Sequence, residues 1–164
     1  LEVMPHFWNE YDRGTLTIDE VKEELCRYHN CDREKVDNYV QLAIDKQEPI
    51  AMTETLIEDL KRAGYRLFVL SNMSKEYISF LRQMDVFQHF EGEIVSCEVG
   101  LIKPEREIYN LLLDRYNLVP EQTMFIDDRK PNVDAAAEVG INPFHFDRND
   151  PEKSCEQLRC ILLK

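Results

Sequence analysis

The chain has 164 residues, 43% of them hydrophobic, which is enough for one ordinary domain or a core with a small insertion. Its 20 Lys and Arg are outnumbered by 32 Asp and Glu, and the resulting net charge of -12 repels nucleic acid and anionic membrane surfaces. No apolar run is as long as a membrane span, and the first residues lack a secretory leader pattern. Cys26, Cys31, Cys97, Cys155 and Cys160 form an odd set without zinc-like spacing, which reads as reduced thiols in a cytoplasm.

Residues 1–48 read as helices only. Gly14 is placed to end a first helix carrying Phe7, Trp8 and Tyr11, three aromatics expected to pack between helices. Thr17 with Glu20 three residues later is a capping box, followed by Ile18, Val21, Leu25 and Tyr28 at helical spacing. Asp32 can cap the next helix, with Val36, Tyr39, Val40 and Ile44 as its apolar face. From residue 49 to 164 helices and strands alternate. A helix over 53–63 stops at Gly64, and a strand follows over 65–70. Ser74 caps a helix holding Tyr77, Ile78, Leu81 and Met84. Residues 93–97 form a short strand, and Pro104 suits the first position of the next helix. A strand over 124–126 precedes a helix ending at Gly140. An edge strand over 144–146 and a helix over 154–163 close the chain. Such alternation predicts an α/β fold, a Rossmann-like parallel sheet flanked by helices, with a small helical cap.

Three loops follow the predicted strands, and in a parallel sheet they share the edge where ligands bind. The first offers the Ser71 hydroxyl and the N–H groups of Asn72 and Met73, a workable phosphate cradle. The second offers a cation, Lys103. The third carries the adjacent acids Asp127 and Asp128, which are costly to hold together unless a cation or proton neutralises them. Hard oxygen donors of this kind favour Mg²⁺, which bridges readily to phosphate. Each feature alone has an ordinary reading: a turn, a solvated lysine, a helix cap. Their order along one sheet edge is far more specific.

Leu70-Ser71-Asn72, Gly100-Leu101-Ile102-Lys103-Pro104 with Ile108-Tyr109, and Phe125-Ile126-Asp127-Asp128 with Asn132, Ala135-Ala136 and Gly140 resemble the second, third and fourth motifs of the haloacid dehalogenase superfamily, in its phosphatase branch. The resemblance runs from about Thr53 to Phe146, and Trp8-Asn9-Glu10-Tyr11 with Gly14 is similar to the family's helical cap. It implies that Ser71 and Asn72 bind the transferring phosphoryl group, that Lys103 steadies charge, and that the fourth motif holds Mg²⁺. Because neighbouring strand residues face opposite sides, Asp128 is assigned as the direct ligand and Asp127 as a supporting acid. Asn132 is expected to support that loop.

The family's first motif, an apolar strand ending in Asp-x-Asp, has no counterpart here. Asp12 and Asp45 lie on helical stretches and do not replace it. The resemblance therefore implies a nucleophilic Asp and an acid/base Asp upstream of Leu1, at the end of a strand central to the sheet. This chain by itself should be inactive. The implied reaction is Mg²⁺-dependent hydrolysis of a small phosphorylated metabolite, a sugar phosphate, through an aspartyl-phosphate. Two alternatives stay open: a metal-free dehalogenase of the same fold, and a non-catalytic interaction protein that lacks the nucleophile.

Overall fold

The computed structural model describes residues 6–163. They fall into two compact units. The first holds the described residues through Glu48, with Ser71–Phe87 and Val95–Ile102. The second holds Pro49–Leu70, Gln88–Ile94 and the residues from Lys103 onward.

The first unit is helical. Helix α1 (Phe7–Arg13) ends at Gly14, which adopts the left-handed conformation at φ 86°. An L side chain resists that conformation, and a Cβ at Gly14 would also lie 2.5 Å from the Cys97 carbonyl oxygen. Helix α2 (Ile18–His29) opens on the expected capping box: Thr17 Oγ1 accepts the Glu20 N–H and the Glu20 carboxylate accepts the Thr17 N–H. Asp32 caps α3 (Arg33–Asp45) by accepting the Lys35 N–H at 2.9 Å. Helices α1, α2 and α3 bury Phe7, Tyr11, Val21, Leu25, Val40 and Ile44 in one cluster, against which Trp8, Tyr77 and Phe80 pack. The aromatics of α1 thus serve the core.

Two residues of the predicted faces lie outside it. Tyr39 is exposed because it falls about 60° from Val36 on the side away from Val40 and Ile44. Tyr28 sits on the last turn of α2 and lies against the His29 ring. Helix α5 (Lys75–Leu81) begins after Ser74, but the buried Ser74 hydroxyl makes no cap bond, so only its position matches the prediction. The short helix α6 (Ser96–Val99) takes Ser96 and Cys97 from the predicted strand.

In the second unit, α4 (Ala51–Arg62) packs its Leu56 and Leu60 with Cys155 and Leu158 of α9 (Pro151–Leu162). The strands are short. β1 (Phe68–Ser71) pairs with β2 (Gly92–Val95), and β3 (Met124–Asp127) pairs with β4 (Asn142–His145). β3 and β4 are parallel, in a register that places Met124 against Asn142 and Asp127 against His145. The helix between them, α8 (Lys130–Glu138), makes the crossover that a parallel pair requires. Pro143 is tolerated in β4 because β3 is that strand's partner on one side alone. Helix α7 (Arg106–Arg115) starts two residues after Pro104, which stands outside it behind a cis Lys103–Pro104 peptide.

The strands therefore form two separate pairs among the described residues. Between them, within this unit, lies a cavity of about 1000 Å³. Its walls include Leu67, Phe68 and Leu70 on the β1 side and Met124, Phe125 and Ile126 on the β3 side. Ile126 is 39% exposed, unusual for a strand residue in this fold class.

Candidate functional site

β3 presents its side chains alternately, so Phe125 and Asp127 share a face and Ile126 and Asp128 turn away from it. Phe125 is buried, and its ring lies 5.4 Å from the Lys103 Nζ. Lys103 also donates to Asp127 Oδ2 at 2.6 Å and to the Leu70 carbonyl at 2.8 Å. Side-chain exposures of 9% and 8% make Lys103 and Asp127 a buried ion pair. One ammonium thus joins the carboxyl ends of β1 and β3, two strands that do not pair with each other.

The remaining Asp127 oxygen, Oδ1, accepts the Arg129 N–H at 2.8 Å and the Asn132 side-chain amide at 3.1 Å. The first bond is a local turn that prepares the start of α8. Asn132 is itself held: its carbonyl accepts the buried Tyr109 hydroxyl at 2.8 Å. Burial, with Asp127 nearby, holds the Tyr109 phenol above its ordinary range, so it stays a protonated donor. Tyr109 was part of the third sequence motif, but its bond to the fourth is visible only in three dimensions.

Asp128 has different surroundings. Its carboxylate is 37% exposed and meets Arg148 at 3.3 Å, while its carbonyl pairs with His145 Nε2 at 2.9 Å. Arg148 and His145 were missed in the sequence: nothing in Asp147-Arg148-Asn149-Asp150 sets Arg148 apart from an ordinary charged turn, and His145 reads as one residue of an edge strand. The donor chemistry suits a hard cation, since Mg²⁺ needs only one or two protein carboxylates alongside waters and phosphate oxygens. The oxygens of Asp127 are already taken by three donors, whereas the Asp128 carboxylate is the more exposed of the two. Among the described residues no three His, Cys, Asp or Glu side chains converge as a metal cage.

Ser71 and Asn72 belong to the other unit. Ser71 ends β1, directly after the Leu70 whose carbonyl Lys103 holds. Of the three donors expected there, the Met73 N–H is engaged by Ser96 Oγ at 2.8 Å. The other residues considered as nucleophiles are committed to helices. Asp12 lies in α1, and Asp45 at the end of α3 accepts the Gln41 amide. All five cysteines are free thiols.

Residues 5–140 match the haloacid dehalogenase-like hydrolase family. The chain belongs to that family. A sesquiterpene phosphatase of Aspergillus oryzae, astK, is 26% identical over 94% of this chain and 79% of its own length. A phosphorylated carbohydrates phosphatase of Thermotoga maritima is 37% identical over 43% of this chain and 33% of its own length. Across its relatives the chain spans from 15% to 79% of their lengths. In fold it is similar to a haloacid dehalogenase family enzyme from Bacteroides thetaiotaomicron, solved with magnesium and inorganic phosphate. That match has a TM-score of 0.70 at 21% identity and covers 88% of this chain and 74% of the other. The four strands flanked by helices are thus a family fold, of Rossmann-like type. No helix among the described residues is long and apolar enough to cross a membrane.

Proposed function

We propose that the chain is part of a Mg²⁺-dependent phosphatase that hydrolyses a small phosphate monoester, a sugar phosphate, in the cytoplasm. The observation that carries this reading is the Lys103 ammonium, buried between the ends of β1 and β3 and fixed by Asp127. A preorganised cation at the carboxyl ends of strands is suited to a group whose negative charge spreads in the transition state. Residues 1–48 act as the cap and 49–164 as the core.

In this reading Ser71 and the Asn72 N–H donate to phosphoryl oxygens, and Lys103 offsets their charge. Asp127, locked by Lys103, Arg129 and Asn132, holds that lysine in place. Asp128, now 3.3 Å from Arg148, would hold the metal. When bound, Mg²⁺ neutralises charge on the phosphoryl group and orients it for in-line attack. The nucleophile is an Asp outside these 164 residues, which attacks phosphorus as the P–O bond to the leaving alcohol breaks. A second Asp beside it protonates that leaving oxygen and then takes a proton from the water that hydrolyses the aspartyl-phosphate to inorganic phosphate. The cavity between β1 and β3 supports an extra strand there: its walls are mostly apolar, and among the described residues each strand pairs with one other strand. The free thiols fit a reducing compartment.

The test is hydrolysis of aryl and sugar phosphates by the full-length protein, with and without Mg²⁺. Metal-dependent phosphate release supports the proposal. Halide release from a 2-haloacid without metal would replace it with the dehalogenase reading, and neither activity would favour a non-catalytic partner-binding role.

A further inference from the structure

Ser96 is completely buried at the start of α6, and the proposed mechanism does not use it. Its hydroxyl accepts the Met73 N–H at 2.8 Å and lies 2.5 Å from the Asp12 carbonyl and 3.3 Å from that of Met73. A serine hydroxyl has one proton to give. The nearer Asp12 carbonyl takes it, so Ser96 joins the end of α1 to the turn after Ser71 and Asn72. The joint is reinforced twice. Gly14 lies so close to the Cys97 backbone that a Cβ would not fit, and Arg13 donates to the Gly100 carbonyl at 3.1 Å. All of these residues lie in the first unit.

We propose that Ser96 is a positioning residue: its hydroxyl sets the Ser71–Asn72–Met73 turn and couples that turn to the end of α1. The inference rests on the reading of Ser71 and Asn72 as the phosphoryl-binding turn. The physical reason is the number of bonds at one atom. Without the hydroxyl, the half-buried Met73 N–H and Asp12 carbonyl lose this partner together, and polar groups removed from water are costly to leave unsatisfied. The turn must then move to find new ones. A displacement of about 1 Å in a group that orients a reacting centre can cost about a hundredfold.

The experiment uses the full-length protein with inorganic phosphate as the probe. Ser96→Ala should shift the amide resonances of Asn72 and Met73 and weaken phosphate inhibition at least about tenfold. Ser96→Thr keeps the hydroxyl and should recover most of that affinity. Gly14→Ala strains the same joint from the α1 side and should shift the same amides, which covers the case in which Ser96→Ala does not fold. Val36→Ala, in the core of the same unit, should lower Tm while leaving the turn amides and phosphate inhibition unchanged. Unchanged Asn72 and Met73 amides in Ser96→Ala would overturn the inference. So would equal losses of phosphate inhibition in Ser96→Ala and a Val36→Ala variant of matched Tm. A wild-type protein without phosphatase activity would instead overturn the proposed function, and the amide readout would still decide whether Ser96 sets the turn.

Discussion

At Lys103 the consequences of a single substitution depend on burial. The pair with Asp127 is nearly closed to solvent, so Lys103→Met leaves an unpaired buried carboxylate. Breaking one side of such a pair costs roughly 3–5 kcal/mol. The same change should cut phosphatase turnover by about 10²–10³, the scale of losing one transition-state electrostatic group. Adding Asp127→Asn removes the orphaned charge. The double variant should therefore regain stability in denaturant titration while its turnover stays low. Recovery of turnover along with stability would mean that the cation acts on folding alone. Asp127 and Asp128 separate by a related argument. Asp128→Ala should abolish Mg²⁺-dependent phosphatase activity. Asp127→Ala should weaken activity less, with a larger loss of Tm, because Lys103, the Arg129 N–H and the Asn132 amide lose a shared acceptor together. Titrating activity with Mg²⁺ in both variants checks the assignment, and a greater rise in the metal requirement of Asp127→Ala would reverse the two roles.

The helix termini make a different prediction, one about pH. Bonds from the Thr17 backbone and side chain hold the Glu20 carboxyl below its ordinary 4.5. Asp32 is lowered in the same way, first by the Lys35 N–H. A group depressed in the folded state binds more protons when unfolded, so stability rises with pH across this range. The contribution of Glu20 is complete above about pH 4.5 and is lost as the pH falls through its lower folded value. Glu20→Gln has no such titration. Its Tm should fall below that of the wild type above pH 4.5 and approach it in more acid solution. Thr17→Ala removes the cap itself and should cost about 1 kcal/mol. A constant gap between the Glu20→Gln and wild-type Tm values from pH 3 to pH 7 would show that the carboxylate charge contributes nothing to the cap.

For the whole molecule the cavity between the two strand pairs is decisive. Two short sheets with edges facing an apolar space of about 1000 Å³ are a weak core for an α/β unit. A single inserted strand that buries several Val or Ile residues would contribute ~1.5–3 kcal/mol for each. That rivals the ~5–15 kcal/mol by which an entire domain is stable. Residues 1–164 expressed alone should therefore bind an apolar dye, unfold with weak cooperativity and leave aryl phosphate intact. Adding a peptide with an apolar strand that ends in Asp-x-Asp should suppress dye binding and restore Mg²⁺-dependent activity. An isolated chain that is stable and fully active would require a nucleophile among its own residues and would overturn the mechanism. One that is stable but inactive would leave the mechanism standing and remove the need for an inserted strand.

Much of this was legible in the sequence, for a local reason. The capping box at Thr17, the Asp32 cap, the stop at Gly14 and the core stripes of α2 and α3 depend on residues within four positions of one another. The fold class followed from alternating short apolar runs and helical spacing; the candidate acids were found at the end of such a run, and the lysine in a loop just before a helix. Tertiary structure decided what no local pattern encodes. It joined Lys103 to Asp127 across 24 positions, Tyr109 to Asn132 across 23 and Ser96 to Asp12 across 84. It paired the Met73 N–H with Ser96, exposed Tyr39, and set Pro104 outside its helix. Those outcomes depend on which buried polar groups meet once the elements pack, and the sequence states that only through the fold.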